Sequence, residues 1–158
     1  MITEGQLNRR LHHHIKTICP NGFAGREHGT HCAHYVGHVL GYHFGTVTCQ
    51  TLTGGEHLGA PVKVHEIFQR CKLVGNWDER PANVKSCLAF VVASQCGVDV
   101  KSRTMGNIGH KHIGIYLNGH IWHYLTGHGR VERWKPSRFG NMYPEGNKLY
   151  YGLFPGSQ

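Results

Sequence analysis

Nowhere in these 158 residues do eighteen apolar positions follow one another, so the sequence holds no candidate membrane-spanning helix. Charge is sparse as well: Asp, Glu, Lys and Arg make up 16%, and the basic residues are scattered, with no block of five or more. With no nucleic-acid-binding module in view, that scatter argues against a nucleic-acid partner, although the net charge of +8 and pI near 9.4 favour some anionic surface. There is no Cys-x-x-Cys, no His-Glu-x-x-His and no paired finger spacing, so neither a metal site nor a cofactor is expected. Cys19, Cys32, Cys49, Cys71, Cys87 and Cys96 follow no regular spacing and read mostly as reduced, buried, small apolar residues, with pairing, for instance of Cys87 with Cys96 across a short loop, as the alternative.

The scarcity of charge is made up by 22 Gly and 15 His. Apolar content of 39% rules out disorder, and the length suits one domain over residues 1–158 with one core and many turns. Leu7, Leu11, Ile15 and Ile18 are spaced for an amphipathic helix from Glu4 to Ile18, broken by Pro20-Asn21-Gly22. His12-His13-His14 would lie on its solvated face. After a glycine-containing loop at 21–31, Cys32, Tyr35, Val36, Val39 and Leu40 follow the helical i, i+3, i+4 pattern, with Gly41 as C-terminal cap. A Gly/Thr-rich connection at 42–62 precedes a short helix over Val64 to Cys71. Leu88 to Ala93 reads as a buried central strand. His112 to Leu117 and His120 to Leu125 flank Asn118-Gly119, a strong signal for a type I′ hairpin, and further strands are expected at Arg130 to Trp134 and Lys148 to Phe154. Helices first and strands later imply an α+β domain, N-terminal helices packed on a central antiparallel sheet.

The hairpin sets the chemistry. With Asn118 and Gly119 as the loop, Leu117 pairs with His120, Tyr116 with Ile121, Ile115 with Trp122 and Gly114 with His123. His112, Gly114, Tyr116, Ile121 and His123 then share one face, and Ile113, Ile115, Leu117, Trp122 and Tyr124 the other. His112 and His123 become diagonal neighbours. Gly114 leaves room for another element, expected to be the Cys32 helix. Thr30 is the expected N-cap, placing Cys32 where the helix start and an imidazolium would lower its thiol pKa. Cys32 is then a nucleophile, His112 its base and His123 the group that orients His112. The backbone N–H of Cys32 would bind the oxyanion. His31, His34 and Tyr116 are candidates for lining the substrate cleft, with Trp134 beside them. Activity should fall once the pH is low enough to protonate the thiolate.

A cysteine opening an amphipathic helix, an apolar strand, and then His112-Ile113-Gly114-Ile115-Tyr116 with its Asn-Gly turn and Ile121-Trp122-His123 resembles the NlpC-type cell-wall cysteine peptidases and the related CHAP amidases. The resemblance covers about residues 28 to 125 and is strongest over His112 to His123. It implies a papain-like domain in which Cys32, His112 and His123 match the catalytic residues, cleaving amide bonds in peptidoglycan. Two departures stand out. Cys32 is flanked by His31 and Ala33-His34 where the family usually has Asp before and Ser-Gly after, and the upstream oxyanion tyrosine has no match, Phe23 being the nearest aromatic. The start, Met1 to Gln6, lacks the regions of a signal peptide, so synthesis in the cytoplasm and delivery to periplasm or wall by a dedicated route are expected, as for amidase-type effectors, with an immunity or carrier protein as partner.

Two other functions draw on the same residues. One is a histidine-rich metal-binding protein using Cys32 and His34, His110 and His112, and His120 and His123. The other is an acyltransferase or a protease of non-wall substrates on the same Cys-His core.

Overall fold

The computed structural model describes residues 1–19, 31–42, 63–106 and 109–156. Thr30, Phe23 and Cys49 lie outside the described residues, as do the loops expected at 21–31 and 42–62 apart from His31 and Tyr42. Among the described residues the helices are α1 (Glu4–Asn8), α2 (Ile15–Ile18), α3 (Cys32–Leu40), α4 (Val64–Arg70) and α5 (Pro136–Phe139). The strands are β1 (Val74–Asn76), β2 (Ser86–Ala93), β3 (Val98–Asp99), β4 (Thr104–Met105), β5 (Lys111–Leu117), β6 (His120–Leu125), β7 (Arg130–Trp134) and β8 (Asn147–Gly152). Six strands form one sheet in the order β1-β8-β2-β5-β6-β7, every pair antiparallel, and β3 and β4 make a separate ribbon. This is the expected α+β class.

The apolar run of β2 is explained by its place between β5 and β8, where both faces are covered. On one face Leu88, Phe90, Val92, Ile113, Ile115, Trp122 and Tyr124 meet Leu7, Ile15, Tyr35, Val36, Ile67 and Phe68 from the N-terminal helices. On the other, Cys87, Ala89, Val91, Tyr116, Ile121 and Tyr151 pack beneath Phe139 of α5. A fully buried Leu, Ile or Phe contributes about 1.5–3 kcal/mol, so this two-sided burial accounts for the sheet. No helix among the described residues is long and apolar enough to cross a membrane.

One expected helix is two. The chain turns at His12, whose φ of 69° is left-handed, and the backbone N–H of His12 donates to Val131 (2.9 Å) while His13 accepts from Val131 (3.1 Å). Satisfying the open edge of β7 outweighs continuing the helix. His14 then caps α2 by accepting from the Lys16 N–H, so the three histidines are exposed as expected but form a linker instead of a helix face. Helix α3 matches its expected span, closed by Gly41 at φ 71°, but the residue in the N-cap position is His31. The helix at 64–70, the central strand, the hairpin and the last two strands all form close to where the pattern places them. Asn118 and Gly119 both take positive φ, 47° and 95°, as the hairpin turn requires.

Candidate functional site

The hairpin register is Leu117 with His120, Tyr116 with Ile121 and Ile115 with Trp122, as read from the turn. The fourth expected pair, Gly114 with His123, is not a ladder partner, since the paired register ends at Ile115 and Trp122, although the two residues still lie side by side. A Cβ on Gly114 would sit 2.4 Å from Cγ2 of Ile121 and 3.1 Å from Cβ of His123, so the space beside this glycine is taken by β6's own side chains and not by the Cys32 helix. The face assignment holds, with His112 and His123 on the face of Tyr116 and Ile121.

His112 and His123 meet through Nε2 of one and Nδ1 of the other, 2.8 Å apart. Their rings are perpendicular and lie against Phe139, and Trp134 closes over His123 at 4.3 Å between ring centroids. His112 is 7% exposed and His123 fully buried. Burial holds both imidazoles neutral, His112 down to about 3 and His123 to about 2, the latter helped by the nearness of His112 and Arg138. Nδ1 of His112 hydrogen-bonds to none of the described residues, and Nε2 of His123 is buried without a partner. If His112 donates from Nε2, its Nδ1 carries a lone pair, the form a base needs.

Cys32 is the first residue of α3, which packs on the other face of the sheet against β5 and β6. The backbone N–H of Ile113, the residue after His112, points at the Cys32 sulfur along with those of Ala33 and Cys32 itself. Burial outweighs these three donors and pushes the thiol up to about 11. This corrects the expectation of a thiol lowered by the helix start: desolvation is the larger effect, and no hydrogen bond joins Sγ to His112. Cys32 is thus a neutral thiol held against the backbone of Ile113, next in sequence to His112, and His112 and His123 are neutral imidazoles on the opposite face of the sheet.

The expected cleft residues are placed otherwise. His31 and His34 are buried, with their Nδ1 atoms 3.0 Å apart, because α3 turns its first face inward against Tyr124 and α2. Tyr116 lies four residues along β5 from His112, about 13 Å. It is enclosed by Trp77 and by Arg80, which donates to its hydroxyl at 3.2 Å and stacks on its ring at 4.4 Å. Trp134 covers His123 and is itself covered by Arg138 at 3.9 Å. Two surface grooves, one between Trp77 and Leu149 and one between Met1 and Phe154, lie away from Cys32. Cys19, Cys32, Cys71, Cys87 and Cys96 are all free and buried, so Cys87 and Cys96 do not pair; they belong to opposite faces of the sheet.

Two features carry no sequence signal. Tyr143, after α5, stacks on His110 at 4.8 Å, and its phenol is held protonated by burial and by the nearness of the Cys32 sulfur and Glu145. No local spacing connects Tyr143 with Cys32. The second feature is a cluster of Cys19, His34 and His38. The pairs that composition offered as metal ligands do not assemble: His110 instead bonds Glu145, and His123 bonds His112. Compared with family models, curated proteins and solved structures, the chain matches none of them.

Proposed function

We propose that the protein is a cysteine hydrolase of amide bonds, with peptidoglycan as its substrate class. The observation that carries this reading is the buried 2.8 Å contact between His112 and His123, together with a cysteine at a helix start whose sulfur faces the backbone N–H of Ile113, next to His112. The likeness of the His112–His123 hairpin and the Cys32 helix to NlpC-type peptidases supports the papain-like assignment and the choice of wall peptides. The basic net charge suits an anionic wall.

In this reading His112 takes the thiol proton at Nδ1 as the Cys32 sulfur adds to the amide carbon. Neutral partners make the proton transfer part of the attack instead of a step completed beforehand. The oxyanion faces the backbone N–H groups at the start of α3, and Tyr143, protonated, is the side-chain donor within reach of the same sulfur. His112 then returns the proton to the departing amine, and water, with His112 again as base, releases the acyl group from sulfur. His123, accepting from Nε2 of His112, fixes the tautomer that leaves Nδ1 bare.

The test incubates wild type and Cys32→Ala with purified peptidoglycan and mass-analyses the soluble fragments. Wild type is expected to release fragments bearing a new amine and carboxylate, and Cys32→Ala to release none. Identical products from both end the proposal.

A further inference from the structure

We propose that Cys19, His34 and His38 bind a single metal ion of the zinc class, clamping the C-terminal end of α2 onto the helix that carries Cys32. One ligand atom from each residue lies within 4.8 Å of the other two. His34 and His38 are one turn apart on α3, so their rings project from the same side, with centroids 5.0 Å apart. Cys19 arrives from the C-terminal end of α2 and is buried. A tetrahedral ion with bonds of about 2.0–2.3 Å needs ligand atoms about 3.3–3.7 Å apart, a contraction of about 1 Å.

The observation that points to a ligand is Nε2 of His34. His34 is 1% exposed, and this nitrogen is buried with no hydrogen-bond partner. An orphaned buried polar atom is costly, which calls for a partner at that place. The other nitrogen is already fixed, because Nδ1 of His34 lies 3.0 Å from Nδ1 of His31. If His34 donates there, Nε2 keeps the lone pair that ligation needs, and His31 plays the part that an outer partner plays for a metal-bound histidine, setting tautomer and ring orientation. Burial, with His38 and His31 close by, keeps His34 neutral, as ligation requires.

The donor set selects the ion. One thiolate and two imidazoles suit zinc, cobalt or copper and disfavour magnesium and calcium, which prefer oxygen. On binding, the Cys19 thiol gives up its proton to solvent and the sulfur becomes the third ligand, leaving a fourth position for water. Because the cluster excludes Cys32, this proposal is independent of the hydrolase reading.

The full chain, free of any affinity tag and stripped by chelator, is titrated with Zn2+ against a chromophoric chelator and separately with Co2+ in a spectrophotometer. One Zn2+ per chain is expected, with melting temperature rising as it binds. The Co2+ form should show thiolate-to-metal charge transfer that is lost in Cys19→Ser but kept in Cys32→Ala and Cys96→Ser. Cys19→Ser and His38→Gln should weaken Zn2+ binding by at least about 10-fold, whereas the exposed His13→Ala leaves it unchanged. His34→Ala opens a buried site and can unfold the chain, so the isosteric Cys19→Ser decides. No saturable Zn2+ binding, binding indifferent to Cys19→Ser, or a charge-transfer band that follows Cys32 would each overturn the site.

Discussion

The thiol of Cys32 is governed by two opposed effects, and their sizes decide how it reacts. The donors of Ile113, Ala33 and Cys32 favour thiolate, but desolvation is larger and sets the value near 11. Because the thiol is an acid with a raised pKa, its reactive fraction should grow about tenfold per pH unit through the neutral and mildly alkaline range. Following iodoacetamide alkylation of Cys32 in a chain whose other cysteines are tracked by peptide mapping checks this. A rate already level from neutral pH upward would mean a thiolate-imidazolium pair, contrary to the burial seen here. That His112 and His123 share a strand face was legible because a turn signal and period-two alternation fix it. Tyr143 was not, since its nearness to Cys32 depends on where α5 and the turn after it come to rest.

Helix α3 joins both clusters: Cys32 begins it, and His34 and His38 follow along it. Its far end depends on Gly41, whose φ of 71° lets its N–H bond back to Gly37, and nothing lies within 4 Å of where a Cβ would stand. Gly41→Ala should therefore cost only the conformational term, about 1 kcal/mol, read from the urea midpoint with the slope unchanged. A loss several times larger would point to a steric role that the open space contradicts. The hydrophobic period and the glycine after it placed this helix correctly. The first helix departs from its expected span because Leu7, Leu11, Ile15 and Ile18 are spaced for one helix, yet the two halves bury Leu7 and Ile15 while His12 and His13 bond β7 between them. Periodicity reports which side chains go inward and is blind to an edge strand needing backbone partners.

Across the molecule, buried neutral groups set the pH range in which the fold persists. His34, His112 and His123 have pKa values lowered to about 3, 3 and 2, so each is uncharged when folded and takes a proton on unfolding below its ordinary value near 6.5. The unfolded chain binds more protons there, so stability falls as pH drops from about 6.5, by up to roughly 4 kcal/mol per unit when all three contribute. Cys32, Cys71 and Cys87, raised to about 11, 12 and 12, act oppositely: they ionise near 9 when unfolded, and stability falls as pH rises beyond that. Circular dichroism against pH should show a steep acid transition between about pH 4 and 5.5 and a second decline above about pH 9. A chain that stays folded with unchanged denaturant midpoint down to pH 4 would show these imidazoles to be accessible to protons.

What the linear order of residues settled by itself was local: the α+β class, the extent of α3 and β2, the Asn-Gly turn, and the pairing that sets His112 beside His123. Each follows from interactions within a few residues or across one two-residue turn, where spacing alone fixes geometry. Only the folded chain decided that β8 enters between β1 and β2, that the Cys32 sulfur comes against the backbone of Ile113 in β5, and that Cys19 meets His34 and His38. Those are contacts between segments far apart in sequence, chosen by which surfaces bury one another best and by the desolvation that follows. No spacing in the chain records that choice.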